Sequence, residues 1–238
     1  MLEEEEQDDD QSFDFTQTLQ VKNVMAVINL GKVIADLRGL SENVPQTEVM
    51  ALAGGEVNAL SWRHAGDQNA AALLFESGKL VLAGATSLES TRKFGEDVVN
   101  TIKMLGFGDG MPSKFKLEVK NIVAWTNIGR PINLAQYALD HPGRVQYYPE
   151  LFPGASQKLP IDDKGTTVTV TAFADGTLIF SDSPDMEKIR AGCHVMRKIL
   201  ATHVNQSMDS SGAQKRALEE EGGAPAPHTS KKPRVDND

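Results

Sequence analysis

The chain is 238 residues long, with 40% apolar and 24% charged residues, 24 Lys+Arg against 33 Asp+Glu, and a formal charge of −9. That is the composition of an ordinary globular chain with room for one large core or two small ones, and its acidic total argues against a strongly basic nucleic-acid binder. The single cysteine, Cys193, excludes an internal disulfide, and no secretory leader or apolar run of about 18 residues is evident, so the sequence predicts a soluble intracellular protein.

The charge is unevenly spread. Residues 1–20 hold eight acids and no base, residues 21–204 hold 19 of each, and residues 205–238 hold five bases and six acids. Nearly all the net charge therefore belongs to the N-terminal end. Residues 1–18 are expected to form a disordered acidic arm, because a charged run with few apolar side chains cannot offset its ordering entropy by burial.

Residues 21–31, VKNVMAVINLG, alternate as a strand, and a short helix is expected from about Val33, closed by Pro45. Residues 57–63 and 69–75 read as a hairpin with Ala65, Gly66 and Asp67 in the turn. Glu76-Ser77-Gly78-Lys79 then turns the chain into a strand at residues 80–83. A longer helix over residues 90–105 places Phe94, Val98, Ile102 and Leu105 on one face. Residues 108–116, with Gly108 and Gly110, read as a linker.

Beyond the linker the pattern returns. Residues 119–129, VKNIVAWTNIG, match residues 21–31 at six of eleven positions with an offset of 98. The same offset sets Phe75-Glu-Ser-Gly-Lys79 against Phe173-Ala-Asp-Gly-Thr177. Two matches in one register point to a duplicated domain, since the period is too long for a solenoid. The second copy ends in a helix that Ser183 is expected to cap, with Pro184 in its first turn and Ile189, Cys193, Met196 and Leu200 as its apolar stripe. The repeats span residues 19–107 and 117–204. Residues 205–238 read as a disordered tail, within which Lys231, Lys232, Pro233, Arg234 and Val235 resemble a nuclear localisation signal.

A unit of strand, short helix, antiparallel strands and long helix, used twice, predicts an α+β fold. Its antiparallel sheet would be continuous and curved, with pseudo-twofold symmetry and helices on one face. Alternation then assigns the uncovered face. The first repeat contributes Asn23, Met25, Val27, Asn29, Val57, Ala59, Ser61, Arg63, Leu73, Phe75, Val81 and Ala83. The second contributes Asn121, Val123, Trp125, Asn127, Phe152, Gly154, Ser156, Lys158, Thr169, Thr171, Phe173, Ile179 and Ser181. Leu60, Trp62, Leu74, Leu80, Leu82, Val170, Leu178 and Phe180 would pack under the helices. An apolar face with paired amides at its centre, aromatics toward its ends and cations at its margin suits a DNA minor groove. Ordinary strand residues covered by another domain or subunit would give the same pattern.

The duplicated VKN strand, LLFESGK at 73–79, LGF at 105–107 and YYPELFPG at 147–154 resemble the core of the TATA-box-binding protein family, over residues 19–203 and in the family's order and spacing. The resemblance implies a saddle-shaped sheet with helices on its convex face that bends A/T-rich DNA from the minor groove, a mechanism belonging to the family and not read from this chain. It implies that Asn23 and Asn121 bond A·T acceptors near the dyad. Phe75, Phe152 and Phe173 take intercalating positions. Met25, Leu73, Val81, Val123 and Ile179 take groove-floor positions, and Arg63 and Lys158 phosphate-contacting ones. Glu150 and Leu151 match positions that bind a TFIIB-type factor, and a TFIIA-type factor is a further implied partner. No membrane, small-molecule substrate or cofactor is implied, and the expected location is the nucleus.

The departures from the family are specific. Its fourth wedge falls on Val57 or Gly54, of which Val57 keeps Leu60 and Trp62 inward and Arg63 outward. Thr171 stands for a groove-facing leucine, Ala83 for a threonine, Trp125 for a small residue and Tyr148 for a glutamate. The loop containing Asp162, Asp163, Lys164 and Gly165 is longer than usual. With three wedges the bend is expected to be asymmetric, fullest at the end carrying Phe152 and Phe173. A charge-neutral core releases fewer counterions, so log affinity is expected to fall less steeply with log salt than for a basic relative. An equally steep slope would overturn that expectation. The acidic arm is expected to compete with DNA for the open face.

No enzyme is expected. The histidines at 64, 141, 194, 203 and 228 are scattered, His194 points away from neighbouring Cys193 on a helix, and Gly106, Gly108 and Gly110 lack the strand–turn–helix context of a phosphate loop. In the helix at 90–105, Arg92, Lys93 and Lys103 are mixed with Glu96 and Asp97, which weakens the case for partners needing a basic convex face. The alternative function is a divergent paralogue that keeps the fold as a protein-interaction scaffold. Thr171, Trp125 and the neutral core favour it.

Overall fold

The two matching segments are the two central strands, β1 (Gln20–Asn29) and β6 (Leu117–Asn127). In the computed structural model, which describes residues 15–51 and 57–201, they run antiparallel side by side. Val24 faces Ile122, Asn23 faces Val123 and Met25 faces Asn121. Val24 and Ile122 are themselves 98 positions apart, so the pseudo-twofold axis passes through that pair.

From this centre the chain builds outward twice. The first repeat adds β2 (Thr47–Ala51), β3 (Val57–Arg63), β4 (Ala71–Phe75) and β5 (Lys79–Ala85). The second adds β7 (Val145–Gln146), β8 (Ala155–Pro160), β9 (Thr167–Ala172) and β10 (Thr177–Ser183). Together they form one sheet in the order β2-β3-β4-β5-β1-β6-β10-β9-β8-β7, antiparallel throughout. Register repeats with the sequence offset: Val27 faces Val81 as Trp125 faces Ile179, and Leu73 faces Val81 as Thr171 faces Ile179.

One face carries α1 (Leu37–Glu42), α2 (Leu88–Ile102), α3 (Leu134–Asp140) and a helix through residues 186–201, here α4. Each repeat keeps its own core. Leu60, Trp62, Leu74, Leu80 and Leu82 pack with Phe94, Val98 and Ile102 of α2. Val170, Leu178 and Phe180 pack with Ile189, Cys193, Met196 and Leu200 of α4. Every inward residue named from alternation is buried. The result is the α+β saddle expected from the duplication, its helices on the convex face. Among the described residues no helix is long and apolar enough to cross a membrane.

Several boundaries differ from expectation, each for a local reason. The first helix begins at Leu37, not near Val33, because the Asp36 carboxylate accepts from Gly39 N at 2.8 Å and caps it there. Asn69 belongs to a turn, its N–H donating to the Asp67 carboxylate at 3.0 Å. The next helix starts early because Ser87 caps it, and it stops at Ile102. Leu105 lies in a wider turn, Lys103–Phe107, that Gly106 ends at φ 85°. Ser183 is the last residue of β10 and does not cap α4. Its hydroxyl accepts from Asp185 N, and the Asp185 carboxylate takes the cap by accepting from Glu187 N at 2.9 Å. The edge strands β2 and β7 were not anticipated.

Residues 15–18, expected to belong to the acidic arm, instead pack against the second repeat. Phe15 is buried in the second repeat's core, and a turn at Thr16–Thr18 is tied to β6 by a 2.5 Å bond between the Thr18 and Thr126 hydroxyls. A deletion meant to probe the arm must therefore stop at residue 14. Residues 1–14, Gly54, the Val57 side chain and the 205–238 tail with its basic cluster lie outside the described residues.

A buried polar pair sits in the second core. The Tyr137 hydroxyl donates to Gln157 Oε1, and burial pushes the phenol well above its ordinary range. Gln157 faces inward from β8 at the register position that apolar Trp62 holds in β3. Tyr137→Phe leaves that amide oxygen without its phenolic donor and is expected to cost about 1–3 kcal/mol in urea unfolding. Because the native state keeps the phenol neutral, the pair's contribution is full below about pH 10 and declines as pH rises further.

Candidate nucleic-acid interface

The concave face is centred on Asn23 and Asn121, which a shared backbone device holds in place. Each central strand bulges beside its asparagine, at Lys22 in β1 and at Lys120 in β6. The strand on the other side also breaks register, around Gly84 in β5 and Asp182 in β10, and both residues have positive φ. Their freed N–H groups donate to the asparagines: Gly84 N to Asn23 Oδ1 at 2.7 Å and Asp182 N to Asn121 Oδ1 at 2.9 Å. With Oδ1 engaged, each amide presents its Nδ2–H2 as the remaining polar group. The symmetric outer pair differs, since Asn29 and Asn127 spend Oδ1 on Gly31 N and Gly129 N and serve as strand-end caps.

Around the two amides the floor is apolar and partly exposed. Val123 and Met25 sit directly across from Asn23 and Asn121, with Leu73 and Val81 toward the first repeat and Ile179 toward the second. Trp125 lies across from Ile179, with Lys22 Nζ 4.8 Å from its ring centroid. Its indole Nε1 is buried without an acceptor among the described residues.

The ends of the face are unequal. Phe152, half-exposed in the turn before β8, stacks edge to face on Phe173 with centroids 5.8 Å apart. That turn is closed by Leu151 N and Phe152 N both donating to the Tyr148 carbonyl, at 2.9 and 3.0 Å. It leaves Leu151 85% exposed at its tip beside exposed Glu150. At the other end Phe75 lies opposite Ala59. Arg63 faces Ala71 as Lys158 faces Thr169, so the two cations are register equivalents, and counting six residues back from each pairs Val57 with Phe152. Both cations are exposed.

Two residues expected on the open surface are buried, Ala59 and Gly154. Gly154 is small because neighbouring rings cover it. A Cβ on Gly154 would come within 2.6 Å of Phe152 Cε1, 2.8 Å of Thr171 Cγ2 and 3.1 Å of Phe173 Cε1. Gly154→Ala is therefore expected to separate the ring pair and to cost about 1–3 kcal/mol by overpacking, read by denaturant unfolding.

Asp182 was missed by sequence reasoning, although the offset of 98 from Gly84 marks it as a carboxylate where its twin has no side chain. The Ser156 and Thr171 hydroxyls bond each other at 2.8 Å, and Thr169 Oγ1 donates to Asp182 Oδ2 at 2.7 Å. Ser156, Lys158, Thr169 and Asp182 line one groove of about 430 Å³ with Arg144 and Gln146. Among the described residues no three potential metal ligands cluster, and Cys193 is buried and forms no disulfide.

The family model described as "Transcription factor TFIID (or TATA-binding protein, TBP)" matches residues 18–105 and 116–203, one match per repeat. The TATA-box-binding protein of Methanothermobacter thermautotrophicus is 30% identical over 184 residues, covering 77% of this chain and 94% of its own. That of Tetrahymena thermophila is 30% identical over 148 residues, covering 62% of this chain and 56% of its own. Among solved structures, that of Methanococcus jannaschii TBP superposes with a TM-score of 0.65 at 23% identity, over 77% of this chain and 98% of that one, a likeness of fold.

Proposed function

Because the chain belongs to the TATA-binding protein family, we propose that it is a transcription initiation factor that binds A/T-rich DNA in the minor groove, bends it and recruits assembly factors. The observation that carries this reading is the pair of asparagines whose Oδ1 atoms are held by strand backbone. Two amide donors are thereby fixed at the dyad of an apolar face. The floor of an A·T minor groove carries only acceptors, adenine N3 and thymine O2, whereas a G·C pair adds the guanine N2 amino donor. Fixed donors over an apolar floor favour the first and meet the second donor to donor.

Mechanism follows from placement. Arg63 and Lys158, at equivalent margins, reach phosphates on either side of the groove. Phe152 and Phe173 enter a base step at one end, and Phe75 enters alone at the other. Leu151 and Glu150, at the exposed tip next to Phe152, offer a TFIIB-type partner a contact outside the groove, and a TFIIA-type factor is the second proposed partner. The basic cluster at Lys231, Lys232 and Arg234 supports nuclear import.

The test is a gel shift on three duplexes: an A/T-rich site, the same site with every A·T pair replaced by inosine·cytosine, and a G·C version. Inosine·cytosine keeps the A·T minor groove and changes the major groove. Binding to the first two and not the third is expected. Discrimination between the first two would rule out minor-groove reading. The competing scaffold reading is favoured by the Asp182 carboxylate on the concave face, and it would take over if none of the three duplexes shifts.

A further inference from the structure

The two halves of the concave face come from one duplicated sequence, so each position has an internal control 98 residues away. In the first repeat, the floor outside the central strands includes Ala71, Leu73 and Gly84. At the same register the second repeat has Thr169, Thr171 and Asp182. The side chain at the last position is allowed in one half only. A Cβ on Gly84 would lie 1.8 Å from the Asn69 carbonyl oxygen, whereas Asp182 is exposed. Its carboxylate is held toward the face by Thr169, next to Asn121, on the second-repeat side of the dyad.

From this asymmetry we infer that the second repeat reads a minor-groove amino donor, the N2–H2 of a purine in a G·C-type pair, while the first repeat excludes it. The inference rests on the DNA-binding reading above and specifies its half-site chemistry. Over an A·T pair Asp182 meets only acceptors, and the cost of setting a carboxylate against them is not recovered. Over a pair carrying the N2 amino group, Asp182 Oδ1 and the Thr171 hydroxyl supply acceptors. In the first repeat Ser61 stands opposite Leu73 as Ser156 stands opposite Thr171, but no carboxylate can stand at Gly84, so the same amino group meets mostly carbon there. The preferred site is thus directional: A·T under the first repeat, and one amino-bearing pair beside the dyad under the second.

The experiment uses the full chain and an A/T duplex whose halves are related by inversion. Adenines beside the dyad are replaced by 2,6-diaminopurine, which adds the N2 amino group while still pairing with thymine. Duplexes carry the replacement in neither half, one half or both. A single replacement in either half is expected to bind at least as tightly as none, because the protein can place the amino group under its second repeat. Replacement in both halves is expected to weaken binding about tenfold. The variant Asp182→Gly/Thr169→Ala/Thr171→Leu, which gives the second repeat the first repeat's residues, is expected to lose about tenfold already at one replacement. Asp182→Gly alone, which also removes a non-glycine residue from positive φ, is expected to show an intermediate loss and serves if the triple variant does not fold.

A tenfold loss in the wild type at one replacement overturns the inference. So does no loss at two, or an unchanged profile in Asp182→Gly. In all three cases binding to the unmodified duplex leaves the DNA-binding reading standing. Failure of the wild type to bind any duplex removes that reading and the inference with it.

Discussion

Replacing Asn23 and Asn121 together with alanine is expected to lower affinity for an A/T-rich duplex about a hundredfold, or roughly tenfold for each amide removed. The loss should exceed that of two surface polar groups because these amides are pre-oriented. Each Oδ1 already accepts from Gly84 or Asp182, so the Nδ2 donors bind without first paying for orientation. The same bonds give the control. In Asn23→Asp/Asn121→Asp each carboxylate still accepts the bulge N–H, preserving the local fold, but turns a second oxygen toward groove acceptors. Aspartate should therefore bind as poorly as alanine or worse while melting near the wild-type temperature. Near-wild-type binding by either double variant would sink the proposed recognition.

The second large effect concerns the bend. Phe152→Ala/Phe173→Ala is expected to remove most of the DNA bend in a circular-permutation gel, and Phe75→Ala to remove the smaller part. The physical reason is pairing: Phe152 and Phe173 brace each other at 5.8 Å, so either ring pressed into a base step is backed by its partner. In the first repeat Phe75 lies opposite Ala59, and the residue in register with Phe152 is Val57, whose short side chain cannot wedge like a ring. Unstacking costs a few kcal/mol per step, and a single unbraced ring recovers less of it. Equal bend loss from Phe75→Ala and from the double variant would show that both ends kink alike. Leu151→Ser should leave bend and affinity unchanged while abolishing binding of the proposed TFIIB-type factor, because Leu151 is exposed at the turn's tip.

Much of the architecture was legible because it rests on period. Alternation in residues 21–31 and its recurrence 98 residues later sorted Leu60, Leu74, Leu82 and Phe180 inward, and Asn23, Leu73 and Val81 outward. Side chains of successive strand residues point to opposite faces whatever lies beyond them. The helix stripes through Phe94 and Val98, and through Ile189 and Cys193, were legible for the same reason.

Illegible features depended on neighbours distant in the chain. Gly154 and Ala59 belong to the outward set by alternation yet are buried, because Phe152, Phe173 and Thr171 close over one of them. The edge strands β2 and β7 exist because β3 and β8 offer them unpaired backbone, and β7 is only two residues long. Phe15 reads as part of an acidic arm until β6 supplies Thr126 and the second core supplies a pocket.

The sequence by itself determined that two copies of one α+β unit share a sheet, which face the helices cover, and which residues line the other. Those properties follow from local periodicity and from the duplication. Only the tertiary structure decided how the lining residues are armed. It held the two central amides by bonds that each span 61 positions, placed a carboxylate beside one of them, and braced two phenylalanines against each other at one end. Orientation of a side chain on a sheet is set by the strand next to it, and that neighbour is chosen by folding, not by adjacency in the chain.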